Sequence, residues 1–326
     1  MSLFWLILGC IIFWSVTDIL YKASSPHSDP LSHYKTFIWV GIVMTLAGVI
    51  MSTWSDTLLD SLKLVKGNLL YLIPLGLIYA ATLLFGLFGK KFLPASMTSV
   101  LENIGGALVA IIIYYYYLLT GYILPSYEFG ILDFIATFAI IIGIILIGRE
   151  EHKLFKKEIS LDNDNKKHSI GVLALFIPII YTLIDVFSLA EIGGVSGNSG
   201  IVGPGEEVFI PAIDFFIFEC AAIALTAILV WLFLLIVKKY IYNPFEPSEY
   251  VRCGAATGET FGTMTFIFAS SINPVLTSPI VSFHCIVTII FARIFLKEKL
   301  TKSQYISLGF IVLGIILLGI TDILGL

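Results

Sequence analysis

Charge is scarce in this chain. Only 13% of its 326 residues are charged, against 58% hydrophobic, and the mean hydropathy is +0.98. A soluble domain of that length carries far more charge, so an integral membrane protein is implied. Cysteine is equally sparse. Cys10, Cys220, Cys253 and Cys285 all fall in apolar runs with no close spacing, which argues against a disulfide framework or a metal site. The amino terminus opens directly on an apolar run, with no basic stretch or small-residue cleavage site, so the first run reads as a retained span rather than a removable signal. HExxH, a paired-aspartate motif, a Gly-rich phosphate loop and a Ser/His/Asp order at helical spacing are all missing, which argues against an enzyme. No cofactor and no nucleic-acid partner are expected.

Long apolar runs fill the space that charge leaves. About 20 apolar residues cross a bilayer as a helix, and that template places spans near 3–21, 36–54, 69–88, 95–119, 129–148, 170–190, 212–237, 250–270, 274–296 and 303–323. Five lie on each side of REEHKLFKKEISLDNDNKKH at 149–168, the natural linker. The expected architecture is all-α, with ten transmembrane helices. Residues 1–148 form one five-helix unit, 149–169 a charged cytoplasmic linker and 170–326 the second unit.

The two units look like copies. FWSVTDILYKA at 13–23 matches IYTLIDVFSLA at 180–190, so that Trp14 falls on Tyr181, Ser15 on Thr182 and Asp18 on Asp185. IIGIILIG at 141–148 pairs in the same chain order with VLGIILLG at 312–319, and LPASMTSV at 93–100 with NPVLTSPI at 273–280. The loops give an orientation. Of the 19 lysines and arginines, 17 fall on one side and only Lys63 and Lys66 on the other. The positive-inside rule then puts both termini outside. With five helices per unit, the second copy is inverted relative to the first.

Helices 8 to 10, in FIFASSINPVLTSPIVSFHCIVTIIFARIFLKEKLTKSQYISLGFIVLGIILLGI, resemble the drug/metabolite transporter superfamily in its ten-helix, EamA-like form. A proline-bearing helix ends in an LKEKLT turn and a glycine-spaced helix follows; GKKFLPASMTSVLENIGGALVA at 89–110 resembles the corresponding piece of the first unit. The resemblance implies a membrane transporter and leaves the cargo open.

Acidic residues inside the spans carry the functional reading. Asp18, Glu102, Asp185, Glu219 and Glu259 lie there, and the sequence places no lysine or arginine at comparable depth. Intramembrane carboxylates are costly and mark substrate or ion routes. A rise of about 1.5 Å per residue puts Glu102, Glu259 and His284 roughly 12–15 Å from a membrane face. The candidate substrate- or proton-binding residues are Glu102, Asn103, Glu259, His284, Ser282, Trp14 and Tyr181, with Asp18 and Asp185 as gates. The function expected is proton-coupled transport, by alternating access, of a small cationic or zwitterionic metabolite such as an amine, an amino acid or a quaternary ammonium compound. The alternatives are a neutral-sugar uptake transporter and a non-transporting or lipid-handling membrane partner. The expected partners are the small-molecule substrate, protons or another ion, and the lipid bilayer, with the chain a monomer or homodimer. The glycines of GAATGETFG, four residues apart, read as a packing stripe on helix 8.

Overall fold

The structure is a computed structural model that describes residues 3–26, 28–92, 94–96, 98–99, 102, scattered positions between 131 and 146, 211–272, 277, 280–298 and 300–324. Every element among these residues is helical. The long helices are α1 (Leu3–Ser24), α2 (Ser32–Ser52), α3 (Leu58–Phe92), α4 (Ala212–Ile236), α5 (Tyr250–Ile272), α6 (His284–Phe295) and α7 (Lys302–Leu324), with a 3-10 turn over Pro247–Glu249. By length and composition α1, α2 and α4 can each cross a membrane.

Helix ends follow local chemistry. Before α2, the Asp29 carboxylate accepts the Leu31 N–H at 2.9 Å and an N–H of Lys35 at 2.9 Å, turning the chain back after Pro30. Lys239 and Lys297 take positive φ, 52° and 55°, at the exits of α4 and α6. The Glu298 N–H then closes onto the Ala292 carbonyl at 3.2 Å, the pattern that ends a helix through a left-handed residue. Thr301 and Gln304 form a reciprocal capping box at the start of α7: the Thr301 N–H donates to Gln304 Oε1 at 2.7 Å and the Gln304 N–H to Thr301 Oγ1 at 3.2 Å. The LKEKLT turn thus stops one helix and starts the next.

Small residues let the helices meet. A Cβ on Gly41 of α2 would overlap that of Ala227 on α4, and Cβ atoms on Gly258 and Gly262 of α5 would run into Thr17 and the Trp14 indole of α1. The glycine stripe of α5 is the contact with α1, the packing role read from its spacing. α1 packs most extensively on α5, and α2 on α4 and α5. Phe37 and Met44 of α2, Leu87 of α3, and Phe216, Ile223 and Leu234 of α4 fill the core between them. Outward rows such as Leu46, Val49, Leu225, Ile228 and Leu229 stay exposed, as suits a hydrocarbon-facing surface.

Two expected spans take a different form. α3 is a single 35-residue helix where a span of 69–88 is expected, because the polar start of this segment continues the same helix beyond its apolar part. In the ninth span, Ile280 and Val281 are helical, Ser282 and Phe283 form a turn, and the continuous helix begins only at His284. The expected sixth span, most of the fourth and the 149–169 linker lie outside the described residues.

Candidate functional site

Helical spacing gathers polar groups on the inner faces. Trp14, Asp18 and Tyr21 share one face of α1 at steps of four and three. Tyr79 and Lys90 are eleven residues, three turns, apart on α3. Arg252, Glu259 and Thr263 align on α5, as do His284 and Thr288 on α6.

A buried ion cluster sits where these faces converge. Lys90 Nζ lies 3.0 Å from Asp18 Oδ1 and 2.6 and 2.5 Å from the two oxygens of Glu102, with only 4% of the lysine side chain exposed. The other Asp18 oxygen accepts the Thr288 hydroxyl at 3.1 Å and lies 3.7 Å from His284 Nε2. The Lys90 ammonium also stands 5.6 Å from the centre of the Tyr21 ring.

Tyr21 leads to a second carboxylate. Its hydroxyl donates to Glu259 Oε2 at 3.1 Å, while Tyr79 donates to Glu259 Oε1 at 2.9 Å and its oxygen lies 3.1 Å from the Thr263 hydroxyl. Glu219, on α4, interacts electrostatically with both Glu259 and Tyr79. Its Oε2 is buried and has no hydrogen-bond partner among the described residues. Beyond Asp18, the Trp14 ring stands edge-on to His284 with centroids 5.5 Å apart. Its indole N–H is likewise buried without a partner there.

Of the residues singled out from the sequence, Trp14, Asp18, Glu102, Glu259 and His284 therefore belong to one continuous interior network. Ser282 is buried in the turn just before His284. Asn103, Tyr181 and Asp185 lie outside the described residues. One reading is corrected: Lys90 is not a rim charge but a buried partner of two carboxylates, so the interior is not free of basic groups. Lys90, Tyr21, Tyr79 and Thr288 are missed from the sequence. Nothing local marks Lys90, which stands beside Lys91 at the end of an apolar run.

A second cluster ties two loops together at the end of the bundle where α1 stops and α5 starts. Arg252 donates to Glu249 at 2.5 Å and to the Ser24 carbonyl at 2.9 Å, and stands 3.5 Å from Asp29. The Tyr242 hydroxyl donates to Glu249 at 2.6 Å. Burial raises the Asp29 carboxyl, but the Lys35 and Leu31 hydrogen bonds and the charges of Lys35 and Arg252 win and hold it below the usual carboxylate value. A cavity of about 350 Å³ opens here, lined by Asp29, Lys35, Tyr240, Tyr242, Glu249 and Arg252 among others. It lies beside the loops, not at Glu102 or Glu259. At the opposite end, buried Asp214 accepts the Ser55, Thr57 and Ser61 hydroxyls, the last two at 2.7 and 2.6 Å.

The turn after α6 reaches back to the first half of the chain. Glu298 accepts the backbone N–H groups of Ala95 and Ser96 at 2.7 and 3.2 Å and the Ser96 hydroxyl at 2.6 Å. Glu298 thus ties the turn after α6 to the residues that follow Pro94.

A helical bundle with an outward apolar surface and a buried, many-helix network of carboxylates has the build of a membrane transporter. Residues 207–320, about a third of the chain, match the EamA-like transporter family. The match bears out the resemblance to the drug/metabolite transporter superfamily and favours a transporter over an enzyme. No curated protein matches the chain significantly.

Proposed function

We propose that the protein is a secondary transporter that moves a small cationic or zwitterionic metabolite, coupled to protons, by alternating access between two inverted five-helix units. One observation carries this reading: among the described residues the interior holds four carboxylates and one ammonium, with Asp18 and Glu102 on Lys90, Glu259 reached from that cluster through Tyr21, and Glu219 interacting electrostatically with Glu259. That balance disfavours phosphate esters, which recruit lysine and arginine. It leaves acidic groups to share between a proton and a cationic cargo. The repeat-related aspartates, Asp18 and Asp185, serve as gates in this scheme, and Trp14 and Tyr181 flank the path.

The test uses sealed proteoliposomes with an imposed pH gradient and a panel of amines, amino acids and sugars. Glu102→Gln and Glu259→Gln keep shape and hydrogen bonding but not charge, so each is expected to reduce proton-driven flux to background while the protein stays folded. Asp18→Asn removes one of the two carboxylates on Lys90 and is expected to lower flux as well. Wild-type rates in both glutamate variants would overturn the proton role. They would favour neutral-sugar transport, the second reading, for which the unpartnered Trp14 N–H offers a donor. Absence of flux for every compound would instead leave a non-transporting membrane protein.

A further inference from the structure

We infer that Asp18 and Glu102 form a cradle for a primary ammonium, which Lys90 fills when no cargo is present and which the cargo's own –NH₃⁺ takes over. The inference rests on the transport reading and narrows its substrate class.

The cradle offers three acceptors to one cation: Asp18 Oδ1 and both oxygens of Glu102, at 3.0, 2.6 and 2.5 Å from Lys90 Nζ. An alkylammonium has three N–H donors and no acceptor, so the match is one donor to each oxygen. The Tyr21 ring adds an aromatic face 5.6 Å away. A quaternary ammonium has no N–H to give and leaves all three oxygens unsatisfied. The same site therefore selects primary amines, including amino acids, over quaternary compounds.

The cation is also tethered in a way that suits exchange. The carboxylates come from α1 and from the stretch starting at Ala95, whereas Lys90 comes from the last turn of α3. The end of α3 is pinned independently, by Lys22 Nζ on the Lys90 carbonyl at 2.9 Å. Withdrawal of the ammonium thus needs only motion of the flexible four-carbon stem. A fixed scaffold gains little from burying three charges, because apolar packing of similar volume is commonly as stable or more so. With the lysine returning as cargo leaves, the empty carrier never exposes two bare carboxylates.

The test is chemical rescue of Lys90→Ala with propylammonium, which replaces the deleted side chain beyond Cβ, and tetramethylammonium as the comparison cation. In detergent, Lys90→Ala is expected to melt several degrees below the wild type. Propylammonium at millimolar concentration should restore much of that loss by mass action. Tetramethylammonium should not, and Lys90→Ala/Glu102→Gln should not respond. The wild type should shift little, because its tethered ammonium competes at high effective concentration. A propylammonium shift no larger in Lys90→Ala than in the wild type, or matched by tetramethylammonium, overturns the inference. If Lys90→Ala cannot be purified in sodium buffer, purification is repeated with each cation: recovery with propylammonium alone supports the cradle, and recovery with neither overturns it. The rescue needs no flux. Failed rescue alongside proton-driven transport would sink this inference only, and successful rescue without transport would sink only the transport reading.

Discussion

Asp29 has two jobs in one short loop, turning the chain through the Leu31 N–H and holding Lys35 and Arg252 by charge. Asn keeps the first job and loses the second, so Asp29→Asn isolates the ion pairs. Because the folded carboxyl is held below its unfolded value, its stabilisation is present above about pH 3.9 and is lost as pH falls through the lower folded value. Thermal midpoints of the wild type and Asp29→Asn, compared across pH, should differ near neutrality and converge in acid. A gap that is constant with pH would deny the ion pairs a role. Lys90 shows why single residues were harder to read from sequence than this loop. Beside Lys91 and at a span boundary, it counts as a rim charge by hydropathy, and only the partners arriving from α1 and Glu102 draw it inward. Asp18, Glu102, Glu259 and His284 were legible, since a carboxylate or imidazole in an apolar run has few places to go but another polar group.

The glycines of α5 give the element scale its sharpest test. Cβ atoms at Gly258 and Gly262 would overlap Thr17 and the Trp14 indole, whereas one at Gly254 would sit at an ordinary 3.5 Å from Leu20. Gly258→Ala and Gly262→Ala should each destabilise by about 1–3 kcal/mol, the usual cost of overpacking. Gly254→Ala should be neutral or slightly stabilising, because alanine removes the helix penalty of glycine. Thermal melts in detergent read all three, and an equal effect at the three positions would refute the α1–α5 contact. The stripe and the LKEKLT turn were both visible in the sequence because spacing and capping are local. The turn at Ser282 and Phe283 was legible only in part: hydropathy sees the run 274–296 as uninterrupted, while Pro279 within it is a residue type that interrupts a helix. The length of α3 escaped for the opposite reason: Asp60, Lys63 and Lys66 end an apolar window without ending a helix.

At the scale of the molecule, each end of the bundle is tied by a different chemistry. Asp29, Lys35, Glu249 and Arg252 join the α1–α2 and α4–α5 loops by charge, and Asp214 holds the α2–α3 loop and the start of α3 to α4 through three hydroxyls. Basic residues mark the first end, Lys22 and Lys91 in the last turns of α1 and α3 and Lys35 and Arg252 in the first turns of α2 and α5. The 17-to-2 split predicts that this end faces the cytoplasm together with the linker, and Lys90 turning inward removes only one charge from the larger count. In a variant whose four cysteines are replaced, a single cysteine at Ser160 should resist a membrane-impermeant maleimide in intact cells and react once the membrane is opened. A cysteine at Lys63, on the opposite side, should react without permeabilisation. The reverse pattern would turn the protein over in the membrane, place the termini in the cytoplasm, and make the hydroxyl-bound end at Asp214 the one that faces the cell interior.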